Sequence, residues 1–131
     1  MTTTPLTGLR IAIIEDDYYQ ASDCRHTLEQ AGAEVVAVTS QVPGPALLGQ
    51  WGALDVVLID INLGQGLSFD FARTLQAKGI RFVFLTGYDA EMLPEDLAGS
   101  AYLSKPADGA RIVATLAQVT RGGTGIEDAD E

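Results

Sequence analysis

Short apolar runs alternate with helix-period segments along this chain. Leu9 to Ile14, Glu34 to Val38, Leu54 to Ile59, Arg81 to Leu85 and Ser100 to Leu103 each have the length of a strand. Within them, Val56-Val57-Leu58-Ile59 and Phe82-Val83-Phe84-Leu85 do not alternate, as expected of strands covered on both faces. Ala21, Cys24, Leu28 and Ala31 recur at spacings of three, four and three, which predicts a first helix that stops at Gly32. Gln41 to Pro45 reads as a turn, followed by a short helix from about Ala46 to Trp51. A third helix spans about Ser68 to Lys78, with Phe71 and Leu75 on its sheet side, and a last one about Asp108 to Thr120, with Ile112, Val113, Leu116 and Val119 on one face. Between Thr86 and Ser100, Pro94 and Gly99 leave room for only a turn or two. Five strands and about five helices in this order predict one α/β domain. It is doubly wound, with a five-stranded parallel sheet and helices on both faces.

Composition fits this picture and narrows it. A chain of 131 residues with 47% apolar content supports one sizeable core. The expected organisation is a flexible N-terminus over residues 1–8, the domain over 9–120, and an acidic disordered tail over 121–131. Gly122-Gly123-Thr124-Gly125 opens that tail, and Glu127, Asp128, Asp130 and Glu131 charge it. The formal charge of −10, from 18 acidic and 8 basic residues, argues against a nucleic-acid partner, which requires clustered Lys and Arg. No apolar run approaches the ~20 residues of a membrane helix, so no membrane partner is expected. Met1-Thr2-Thr3-Thr4-Pro5 does not read as a signal peptide, and the cytoplasm is the expected location. Cys24 is the only cysteine, which excludes an internal disulfide and reads as a small core residue.

The chemistry lies where the apolar runs stop. The first ends at Glu15-Asp16-Asp17, the third at Asp60, the fourth at Thr86, and the fifth leads into Ser104-Lys105-Pro106. Open α/β sheets place their ligand sites at the carboxyl ends of their strands. Carboxylates, a hydroxyl and an ammonium are thus expected along one sheet edge. Converging carboxylates repel, and a hard divalent cation such as Mg²⁺ relieves that repulsion. With a lysine and a threonine to hold phosphoryl oxygens, the set suits phosphoryl transfer with Asp60 as nucleophile.

The ordered set resembles the CheY-like receiver domain of two-component response regulators. It comprises Ile13-Ile14-Glu15-Asp16, Val57-Leu58-Ile59-Asp60, Phe84-Leu85-Thr86-Gly87 and Tyr102-Leu103-Ser104-Lys105-Pro106, within Leu9 to Thr120. The resemblance implies a flavodoxin-like strand order 2-1-3-4-5 and phosphorylation of Asp60. It implies Mg²⁺ bound by Asp16, Asp60 and the Asn62 backbone carbonyl, and by Glu15 mainly through water. Thr86 and Lys105 would grip phosphoryl oxygens, and the Lys105–Pro106 peptide would be cis. Tyr102 would be an aromatic switch that turns inward as Thr86 moves. The donor would be a sensor histidine kinase or a histidine phosphotransfer protein. An unidentified downstream protein would read the output, or the chain would serve as a phosphate sink. Transfer to Asp60 and hydrolysis from it would be self-catalysed, without turnover of a separate substrate. Phe84-Leu85-Thr86-Gly87-Tyr88 also resembles the motif of stand-alone alphaproteobacterial receivers nicknamed FATGUY, with Leu85 in place of alanine.

Plainer readings stand beside these. Glu15-Asp16-Asp17 could be only a helix N-terminus favoured by the macrodipole, and Asp17 reads as a simple cap. Tyr88 reads as a loop residue or a second mobile aromatic, His26 as solvated, Trp51 as packing and Gly64-Gln65-Gly66 as a flexible loop. A Mg²⁺-dependent phosphatase of the haloacid-dehalogenase type is a competing function. It expects a second Asp two residues after the nucleophile, where this chain has Asn62, and its acidic pair late in the chain. A phosphorylation-independent adaptor is a third.

Overall fold

The structure is a computed structural model that describes residues 4–64 and 66–121. Five parallel strands form one sheet in the order β2-β1-β3-β4-β5. They are β1 (Arg10–Ile14), β2 (Glu34–Thr39), β3 (Val56–Ile59), β4 (Phe82–Thr86) and β5 (Ala101–Ser104). Four α-helices connect and cover them: α1 (Tyr18–Gln30), α2 (Pro45–Gln50), α3 (Phe69–Ala77) and α4 (Gly109–Thr120). The doubly wound parallel sheet is the one expected from the alternation of runs, and its strand order is the one the receiver resemblance implies.

Two cores explain why the central strands are apolar throughout. Ile11 and Ile13 of β1, with Leu58, Val83 and Leu103, pack on one face with Cys24, Leu28, Ile112 and Leu116 from α1 and α4. Ala12 and Ile14, with Val57, Ile59 and Phe84, pack on the other with Leu48, Phe71 and Leu75 from α2 and α3. Successive strand residues point to opposite faces, so a strand with helices on both sides has no position left for a polar residue.

Local chemistry sets the ends of several elements. Asp17 caps α1 by accepting the Gln20 N–H at 3.0 Å, and Asp108 caps α4 by accepting the Arg111 N–H at 2.8 Å. Gly32, with φ of +99°, turns the chain out of α1 as the spacing predicts. The segment between β4 and β5 makes no α-helix, only two 3₁₀ turns, Ala90–Met92 and Glu95–Leu97. Asp89 caps the first at 2.9 Å through the Glu91 N–H, and Pro94 enforces extended backbone between them. Leu97 anchors the segment in the core beside α3. The count of about five helices therefore resolves into four α-helices and two single turns.

Leu6 falls in the segment read as a flexible terminus, yet it is fully buried and its N–H donates to Ala31 O at 2.9 Å. Leu6 is thus pinned at the end of α1, while its neighbours in residues 4–8 are exposed. A lone apolar residue in a polar stretch carries no periodic signal, so nothing in the pattern marks Leu6 as buried. The acidic tail from Gly122 onward lies outside the described residues. Among those described, no helix is long and apolar enough to cross a membrane.

Candidate functional site

Strand register builds the site. Ile14 of β1 is level with Ile59 of β3, so the next residues, Glu15 and Asp60, leave the sheet side by side. The Asp60 N–H still donates to Ile14 O at 2.9 Å, and the Glu15 N–H to Thr39 O at 2.9 Å. Thr86 of β4 is level with Ser104 of β5, and the Lys105 N–H donates to Thr86 O at 2.8 Å. Each polar residue therefore stands at the last rung of its ladder, where the backbone is still fixed and the side chain is free to face the crevice.

Lys105 Nζ bridges the acidic groups, 2.6 Å from Glu15 Oε1 and 2.8 Å from Asp60 Oδ2. Glu15 and Asp60 are buried, and Asp16 beside them is exposed. Ligand oxygens of Glu15, Asp16 and Asp60 all lie within 4.8 Å of one another. Three carboxylates facing one ammonium leave excess negative charge, and a divalent cation with oxygen ligands fits such a cluster. Burial pushes the Glu15 carboxyl above its ordinary value, against the pull of its hydrogen bond and charge contact with Lys105. Burial alone would lower the Lys105 ammonium, but hydrogen bonds and charge from Asp60 and Glu15 outweigh it and raise the value. Asp17 does not face the crevice as a ligand. Its side chain caps α1 and its N–H donates to Glu15 Oε2 at 3.1 Å, fixing that carboxylate.

Gly64, in the loop after β3, lies beside Asp16. Gly64 has φ of +82°, and a Cβ there would come within 3.1 Å of Asp16 Oδ2. Asn62 is exposed, and its side-chain Oδ1 accepts the Gly64 N–H at 3.0 Å. The Lys105–Pro106 peptide is cis. A groove of about 720 Å³ opens from Asp60 and Lys105 toward Gln20, Asp23 and Thr27 of α1.

Thr86 is buried, and its hydroxyl accepts the Tyr88 N–H at 3.1 Å. Among the described residues no hydrogen bond joins it to Asp60. The Tyr102 hydroxyl donates to Tyr88 O, and the half-buried Tyr102 ring packs with the α3-side core. Burial, then the charges of Asp89 and Asp60, raise the Tyr102 phenol above its usual value. Tyr88 is more than the loop residue it resembled. Its two backbone groups bind Thr86 and Tyr102, and its ring meets Phe69 edge-on, with centroids 5.7 Å apart at 79°. Nothing in the sequence separates such a tyrosine from an exposed one. Ser68 also escaped notice. It is buried, and its hydroxyl donates to Asp60 O at 3.0 Å.

A parallel α/β sheet with a lysine-bridged carboxylate cluster at its carboxyl edge defines a class of protein. Residues 11–117 match the family model of the response regulator receiver domain, and the chain belongs to that family. Solved structures agree. SdrG from Sphingomonas melonis Fr1 is 29% identical with a TM-score of 0.67, the match covering 88% of this chain and 98% of that one. The PhyR response regulator REC domain from Erythrobacter litoralis is 17% identical with a TM-score of 0.74, covering 86% and 89%. A mutant of the anti-anti-sigma factor PhyR from Bartonella quintana is 21% identical with a TM-score of 0.76 over 88% of this chain. This chain spans only 49% of that protein. Among curated proteins there is no match.

Proposed function

We propose that Asp60 accepts a phosphoryl group from a phosphohistidine donor, either a sensor histidine kinase or a histidine phosphotransfer protein. The phosphorylated chain then acts through contact with another protein or as a phosphate sink. The supporting observation is Lys105 Nζ held between Glu15 and Asp60, with Asp16 beside them, at the edge of the sheet. An Asp60 carboxylate oxygen attacks phosphorus. The O–P bond forms as the P–N bond to the donor imidazole breaks, and the imidazole nitrogen keeps the electron pair. Lys105, already against Asp60, moves onto a phosphoryl oxygen. The Thr86 hydroxyl receives the Tyr88 N–H on a lone pair, so its own proton remains to donate to a second oxygen. Glu15, Asp16, Asp60 and the Asn62 carbonyl would hold Mg²⁺, which when bound neutralises charge on the phosphoryl oxygens.

The phosphatase reading requires a general acid two residues after the nucleophile. Asn62 carries no acidic proton, and its amide oxygen is engaged by the Gly64 N–H.

Incubation with Mg²⁺ and acetyl phosphate is expected to give an acid-stable, alkali-labile adduct of about one phosphoryl group per chain. Asp60→Asn abolishes it. A wild-type chain that takes no label with Mg²⁺ and a cognate kinase would sink the proposal, and continuous turnover of a generic phosphate ester would favour the phosphatase.

A further inference from the structure

Ser68 stands at the N-cap of α3, where serine ordinarily turns its oxygen onto a helix N–H. Here the side chain makes no capping bond. The hydroxyl points the other way and donates to the backbone carbonyl of Asp60 at 3.0 Å, in a buried setting. The Ser68 N–H donates to Ile61 O at 2.9 Å, and Ser68 O takes up the Ala72 N–H at 3.0 Å to start α3. Ser68 thus clamps the end of β3 to the start of α3. The loop between is drawn shut by the Asn62 and Leu67 bridge and by the Leu63 N–H on Gly66 O at 3.1 Å.

We infer that Ser68 is a positioning residue for phosphoryl transfer at Asp60; this rests on Asp60 being the phosphoacceptor. With its N–H on Ile14 O and its C=O under the Ser68 hydroxyl, Asp60 has both backbone polar groups fixed. Its Cα then cannot swing, and its carboxylate stays aimed at Lys105, Glu15 and Asp16. The same clamp sets the base of the loop that carries the Asn62 carbonyl. Without the hydroxyl, Asp60 O is an acceptor that has lost its partner among the described residues, and relief comes by rotating the peptide that aims the carboxylate. Small misplacements of a reacting group are costly in rate. The helix loses a capping oxygen in this arrangement, and the reacting residue gains a support.

The test uses the full chain, labelled by acetyl phosphate at saturating Mg²⁺ and well below each variant's melting temperature. Ser68→Ala is expected to label about tenfold more slowly than wild type, and Ser68→Thr, which keeps the hydroxyl, to recover to within about threefold. A wild-type rate in Ser68→Ala overturns the inference while leaving Asp60 as the acceptor. Equal slowing in Ser68→Ala and Ser68→Thr also overturns it, because the effect would then be one of packing. An unlabelled wild type removes the phosphoacceptor reading itself. Where Ser68→Ala does not fold, Ser68→Cys, a weaker donor of similar size, takes its place; slower labelling supports the inference and a wild-type rate overturns it.

Discussion

Lys105 balances two buried carboxylates at once, and its side chain is only 19% exposed. Replacing it with an apolar residue of similar length leaves Glu15 and Asp60 facing each other without a cation. Lys105→Met should therefore lose about 2 kcal/mol at neutral pH, below the range for a fully buried pair because some water reaches the site. The sign with pH follows from Glu15, whose carboxyl burial already holds above its ordinary value. A raised carboxyl pKa means that protonation favours the fold. The variant should regain stability as pH falls from 7 toward 5, and urea unfolding at several pH values measures it. At this scale the placement of Glu15, Asp16, Asp60, Thr86 and Lys105 along one sheet edge was legible, because each lies within two residues of the end of an apolar run. It was not legible for Ser68 or Tyr88. A serine at a helix start looks the same whether it caps the helix or turns away, and the partners of Tyr88 are backbone atoms that leave no mark in the pattern.

Among the elements, the stretch between β4 and β5 departs most from regular structure, and Pro94 and Gly99 announced it. What the sequence could not show is what holds two single turns in place. The Arg73 guanidinium of α3 forks onto Asp96, with Nε to Oδ2 at 2.7 Å and Nη2 to Oδ1 at 3.1 Å, and also reaches Asp70 at 2.9 Å. This pair crosses 23 residues of sequence, so no local spacing reveals it. The Arg73 hydrogen bonds hold the Asp96 carboxyl below its ordinary value. A lowered pKa stabilises the fold above the unfolded value near 3.8, and that contribution disappears as pH falls through the folded value. In Arg73→Met the Asp96 titration should return to the ordinary range by NMR, and amide exchange over residues 95–98 should accelerate. An unchanged Asp96 titration would mean that the fork is absent in solution.

At the scale of the whole molecule, the doubly wound parallel architecture was readable because alternating strands and helices admit few arrangements once crossovers are right-handed, and the strand order followed from the receiver resemblance. The burial of Leu6 was not readable, since its partner is Ala31 at the far end of α1. Cys24 offers a probe of the whole. Burial, with the charge of Glu15 adding to it, pushes its thiol up to about 12. In the folded protein at pH 8 it should react with a thiol reagent at least about a hundredfold more slowly than in denaturant. Fast labelling of the native chain would show that this face of the core opens. The ammonium and the carboxylate it meets at Glu15 are separated by 90 positions in the chain. Lys105 cannot arrive until β4 and β5 have both been added to the sheet. Every partly folded form without β5 therefore carries the acidic cluster without its ammonium, so strand docking and charge balance complete in one event. Charge balance at this edge is therefore a property of the finished sheet and of none of its first three strands.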